Sequence, residues 1–172
     1  MTQELLAVEV VEIPKGNRNK YEMNRDTGSF HLDRVLHSAI QYPVEYGYVP
    51  DTLARDGAPL DIMSLVTNPT FPGCVIECRV IGVLRMADEF GEDDKLLAVP
   101  VRDARFSRVQ ALTDVPEHDL KEIAHFFAVY RNLDDERASV LGWENADYAR
   151  KVLRECRERW QAAGGSGSRT AP

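Results

Sequence analysis

Alternating apolar and polar positions dominate the first hundred residues, and helical spacing replaces them only in the last third. Residues 7–13, Ala-Val-Glu-Val-Val-Glu-Ile, read as a strand closed by Pro14-Lys15-Gly16. A hairpin is expected next, with arms at 20–23 and 29–35 around the turn-rich Asn24-Arg25-Asp26-Thr27-Gly28. In its first arm Lys20 and Glu22 share one face and Tyr21 and Met23 the other, because successive strand side chains point to opposite sides. Tyr42 to Pro50 is aromatic, and with Pro43 and Gly47 interrupting any long element it reads as irregular. Further strands are expected at 61–66, at 74–86 after the Pro72-Gly73 turn, and at 95–101.

Asp114-Val115-Pro116-Glu117 has the form of a helix N-cap with a glutamate three residues on. Leu120, Ile123, Phe127 and Tyr130 then recur at helical spacing. A second helix is expected from about Asn145. Ala149, Val152, Leu153, Cys156 and Trp160 form its buried stripe, and Gly164-Gly165 its stop. No repeat or linker divides the chain, so residues 1–163 read as one domain and the Gly/Ser-rich 164–172 as a disordered tail. The pattern describes an α+β, mainly β chain: a β-rich core followed by covering helices.

Composition narrows the function classes. A chain of 172 residues that is 44% hydrophobic and 28% charged can bury a sizeable core. Its net charge of −7 argues against a nucleic-acid-binding surface, which is normally basic. That charge leaves an anionic substrate possible, since bound cations reverse a local field. No window is apolar enough to span a bilayer, and Met1 to Val10 lacks the features of a signal peptide. Three cysteines make no disulfide framework. Cys74 and Cys78, read as sharing a strand, would lie roughly 13 Å apart, too far to bridge. They read as buried free thiols and point to a reducing cytoplasm.

The chemistry concentrates in two acidic knots. Asp88, Glu89, Glu92, Asp93 and Asp94 place five carboxylates in seven residues, closed by Lys95. Such crowding repels itself unless solvent or a cation compensates it. Upstream, Asp56 and Asp61 flank Gly57-Ala58-Pro59, a bend able to turn both carboxylates toward one ion. Neither knot fits an EF-hand, and the four histidines show no zinc spacing. Oxygen-only ligands favour magnesium, manganese or calcium. Lys20, Arg34, Lys95 and Arg131, with the Tyr46 and Tyr130 hydroxyls, are candidate phosphate partners. Each alone is weak: Lys20 or Arg34 is more often a solvated surface charge, Tyr46 more often half-buried packing, and Tyr130-Arg131 reads also as a helix end. The combination suggests phosphoryl transfer, where positioning and charge neutralisation do most of the catalysis.

From Val8 to Trp160 the chain resembles the soluble, magnesium-dependent inorganic pyrophosphatases of the first family, in their bacterial form. Asp56-Gly-Ala-Pro-Leu-Asp61 resembles the signature Asp-x-Asp-Pro-x-Asp. Glu12-Ile-Pro, Lys20-Tyr-Glu22, Asp33-Arg34, Tyr42-Pro-x-x-Tyr46-Gly-Tyr48, Asp88-Glu-x-Gly-x-Asp93-Asp-Lys95 and His125-Phe-Phe-x-x-Tyr130 follow in the family's order. The resemblance implies a closed five-stranded OB-like β-barrel with flanking helices, several magnesium ions (manganese as an alternative), a diphosphate-containing small-molecule substrate and a homohexamer. It implies that Asp56, Asp61 and Asp93 hold the metal pair that activates water, and that Asp88, Glu12 and Glu22 help hold ions arriving with substrate. Lys20, Arg34, Tyr46, Lys95, Tyr130 and Arg131 would bind phosphate oxygens.

The chain departs from that pattern at its most reactive position. Ala58 stands where the family's middle aspartate serves as general base, and losing such a base typically costs about 10²–10⁴ in rate. Two metals could still acidify a water between them. Arg131 stands for a lysine, Glu45 for a shorter Asn or Asp, and the segment from Asp134 to Ser139 lacks the usual Gly-Lys. Three readings follow: a slowed pyrophosphatase, a paralogue acting on an organic phosphate or diphosphate, or a non-catalytic diphosphate-binding subunit. The survival of the other acidic and basic residues tells against the third.

Overall fold

Five strands pair in a ring. In a computed structural model, which describes residues 4–134 and 136–165, these are β1 (Leu6–Ile13), β4 (Glu45–Tyr48), β5 (Asp61–Ser64), β8 (Lys95–Pro100) and β6 (Val75–Asp88). β1 pairs with β4, β4 with β5, β5 with β8, β8 with β6, and β6 returns to β1. Only the β5–β8 pair is parallel. The expected closed OB-like ring is present. Outside it lie the hairpin β2 (Asn19–Met23) and β3 (Phe30–Val35), the short β7 (Gly91–Glu92), and β9 (Ala138–Asn145) on the free flank of β6.

Two helices cover the strands, α1 (Glu117–Val129) and α2 (Ala146–Ala162). Ile123, Phe126 and Phe127 of α1 join Tyr42, Met63, Leu84 and Leu97 in one buried cluster. Ala149, Leu153 and Cys156 of α2 join Ile62, Val80, Val83 and Leu96 in another. The long β6 serves both, so its middle is apolar on both faces and reads as a continuous run. Among the described residues no helix is long and apolar enough to cross a membrane.

Four expectations need correction. Tyr42 to Pro50 is not wholly irregular, because β4 runs through Gly47. A Cβ there would sit 2.0 Å from the carbonyl oxygen of Val10, so glycine is what lets β1 approach. β9 was not expected; a register shift opposite Arg85/Met86 and a left-handed Gly142 (φ 127) break its alternation. Asp114 does not cap α1. Its carboxylate accepts from the Gln110 and Ala111 amides, 2.9 and 3.0 Å away, and closes a 3-10 turn, while Pro116 occupies the cap of α1. Cys74 is only half-buried and precedes β6, whereas Cys78 and Cys156 are buried. Asn145 does cap α2, and the backbone at Gly164 and Gly165 folds back on its last turn. Of the tail, residues 166–172 lie outside the described part of the chain.

Candidate active site

β4, β5, the β6–β8 turn and the β2–β3 hairpin converge on one open cleft of about 930 Å³. Strand alternation aims Tyr46 and Tyr48 into it from β4, while Glu45 and Gly47 are buried on the other face. Antiparallel pairing puts Tyr48 beside Asp61 at the start of β5, and parallel pairing puts Asp61 beside Lys95 at the start of β8. Sheet register thus gathers residues that stand far apart along the chain.

Lys95 is the centre of the arrangement. Its ammonium is buried at 1% exposure, 2.8 Å from Asp61 Oδ2, 3.2 Å from both Asp93 oxygens and 3.2 Å from the Tyr46 hydroxyl. The rings of Tyr46 and Phe127 lie 5.4 and 5.5 Å from it. Burial alone would lower the lysine's pKa, but the Asp61 and Asp93 charges outweigh it and hold the pKa above its ordinary value. Burial raises the pKa of Asp61, Lys95 partly offsets this, and Asp93 adds to it. Glu12, which accepts from the Met23 amide at 3.0 Å, is raised to about 7, first by burial, with Asp61 and Glu22 contributing against the opposing Met23 bond and Lys20. Tyr46 and Tyr130 are raised too, chiefly by burial, so both phenols remain donors at neutral pH.

Every expected acidic residue, Glu12, Glu22, Asp56, Asp61, Asp88 and Asp93, lines this cleft, with Lys20, Tyr46, Lys95, Tyr130, Arg131 and Ala58. Arg34 does not: its guanidinium is turned to Asp33 and Asp134, at 3.3 and 3.1 Å. Asp56 Oδ1 accepts from the Ala58 amide at 2.9 Å, and Gly57, at φ +86, makes the bend that brings the two together. Among the described residues no three carboxyl, imidazole or thiol groups yet close on one point as a ready metal cage. Instead Lys95 offers one positive charge to both Asp61 and Asp93, and with Glu12 close enough to feel the Asp61 charge, carboxylates remain in excess. That excess of oxygen donors, with raised affinity for positive charge, suits a hard divalent cation.

Tyr42, Tyr48 and Arg25 also line the cleft and were not assigned roles. Two-residue spacing from Tyr46 could have found Tyr48; nothing distinguishes Arg25 within its turn. Glu45 is structural, buried and accepting from the Thr70 amide and hydroxyl at 2.8 and 3.1 Å.

Ring of strands and cleft together define a β-barrel protein with one carboxylate-rich cleft that also holds lysine, arginine and tyrosine. The family model "Inorganic pyrophosphatase" matches residues 9–161. An inorganic pyrophosphatase of Geobacillus stearothermophilus is 53% identical over 150 residues, covering 87% of this chain and 91% of that one. One of Methanosarcina mazei is 46% identical over 160 residues, covering 93% and 95%. The crystal structure of inorganic pyrophosphatase from Thermus thermophilus superposes with a TM-score of 0.88 at 43% identity, covering 91% of each chain. This chain belongs to the inorganic pyrophosphatase family.

Proposed function

We propose that this chain hydrolyses inorganic diphosphate to two phosphates with magnesium, at a rate limited by Ala58. Family membership supports the reaction, and the gathering of six carboxylates opposite lysine, arginine and tyrosine in one cleft supports its location. Asp56, Asp61 and Asp93 would hold the metal, with Asp88, Glu12 and Glu22 beside them. Magnesium bound there supplies two things: it makes water more acidic and it neutralises phosphate oxygens. Lys20, Lys95 and Arg131 offer cations to the phosphates, and Tyr46 and Tyr130 donate hydroxyls. Lys95 must exchange its carboxylate partners for phosphate as the site fills. Arg34, held by Asp33 and Asp134, would join by turning its Nη1 away from Asp134.

Ala58 is the observation that limits the rate. Its exposed methyl faces the cleft between Asp56 and Asp61 and can neither accept a proton nor orient a water. We further propose a homohexamer working in the cytoplasm. The outward face of the β1–β6 pair supports self-association, with Leu6, Val8 and Val75 at 54, 38 and 62% exposure. The outward side of α2, by contrast, carries ion pairs such as Lys151–Glu155 and Arg154–Glu158. Phosphate release from inorganic diphosphate, with and without magnesium, tests the reading. A magnesium-dependent release that Ala58→Asp raises about 10²-fold supports it; faster turnover of an organic diphosphate by the natural protein would replace it.

A further inference from the structure

We propose that Asp134 and Glu136 hold the guanidinium groups of Arg34 and Arg131 beside the cleft, so that phosphate must displace them to engage those donors. The inference rests on the reading of those two arginines as phosphate partners. Arg34 Nη1 donates to Asp134 Oδ2 at 3.1 Å, across 100 residues of sequence. Arg131 Nη1 lies 3.2 Å from Glu136 Oε2. Both acids belong to the short connection between α1 and β9, where a 3-10 turn at Asn132–Asp134 follows directly on Tyr130 and Arg131.

Geometry makes the acids competitors rather than scaffolding. A carboxylate offers a guanidinium the same pair of oxygens that a phosphate does. A guanidinium can hold two anions, as Arg34 holds Asp33 through Nε and Asp134 through Nη1, but a phosphate seeking the same Nη1 donor must displace the acid already on it, so the net affinity is a difference. The Asp134 side chain is 8% exposed and that of Arg34 30%, so the acid is anchored and the arginine is the partner able to turn away. Asp134 does not lose all compensation when Arg34 leaves. His37 Nδ1 sits against its Oδ1, the buried oxygen that accepts no well-formed hydrogen bond. The device would weaken the hold on phosphate, and a reaction whose products are themselves phosphates gains faster release from that weakening.

Calorimetric titration with inorganic phosphate at fixed magnesium tests it on Asp134→Asn, Glu136→Gln and Arg34→Gln, beside diphosphate KM and kcat. Each acid-to-amide change is expected to tighten phosphate binding about two- to fivefold, the scale of one partly exposed ion pair, and to lower KM without raising kcat in proportion. General damage to the fold would not tighten binding, and Glu136→Gln stands independently should Asp134→Asn fold poorly. If Arg34→Gln weakens phosphate binding while neither amide variant tightens it, the displacement proposal is overturned and the pocket assignment stands. If Arg34→Gln leaves phosphate binding unchanged, the assignment of Arg34 falls, and the Asp134 half of the proposal with it.

Discussion

At the scale of single residues the site is governed by compensation. Asp61 and Asp93 lie so close to Lys95 that one ammonium serves both, and their charges outweigh the burial that would otherwise lower the lysine's pKa. Asp61 is therefore where a cation and the lysine compete most directly. Asp61→Asn should weaken magnesium binding and abolish hydrolysis while the fold survives. Magnesium titration by calorimetry reads this, and an unchanged affinity would take Asp61 out of the metal site. The acidic and basic residues were legible in the sequence because their types and order match one family's motifs. Their present partners were not. Nothing along the chain reveals that Asp61 and Lys95, 34 positions apart, are register neighbours, or that Arg34 is turned to Asp134.

At the scale of elements, β1 carries an anomaly that its alternation conceals. Glu9 occupies an inward position between Ala7 and Val11 and is fully buried. One of its oxygens meets the Ser64 hydroxyl, and the other has no hydrogen-bond partner among the described residues. Burial, with a smaller push from the Glu45 charge and against the Ser64 bond, raises its pKa from 4.5 to about 8. A folded-state pKa above the unfolded one means the folded chain holds the proton more tightly. The associated stability is complete below pH 4.5 and is lost as pH rises toward 8, at up to about 1.4 kcal/mol per pH unit. Glu9→Gln should flatten that slope and raise the melting temperature at pH 8; a variant that melts lower there would show that the ionised carboxylate is tolerated. Most elements were readable from apolar spacing, including β1, the hairpin, β6, β8 and both helices. β4 and β9 were not, since β4 depends on a glycine that admits β1 and β9 on a bulged register against β6. Both owe their form to a partner strand rather than to local pattern.

At the scale of the whole molecule, the outward face of β1–β6 exposes Leu6, Val8 and Val75 beside the ion-paired Glu77, while the outward face of α2 carries a series of ion pairs. Light scattering should give six times the chain mass, and Val8→Asp on the apolar face should lower it; a monomer at micromolar concentration would refute the hexamer. Ring, hairpin and helices together bring six carboxylates, Lys20, Lys95 and Arg131 into one cleft with the methyl group of position 58, while Arg34 is turned away to Asp33 and Asp134. On the proposed reading, this alanine limits the hydrolysis of diphosphate more than any other departure from the family pattern. The most direct test of that limit is phosphate release from inorganic diphosphate by the natural protein and by Ala58→Asp, at equal magnesium and with magnesium binding measured alongside. Turnover about 10²-fold higher in the aspartate variant, with a far smaller change in magnesium affinity, is expected; equal turnover by the two proteins would show that Ala58 does not limit the reaction.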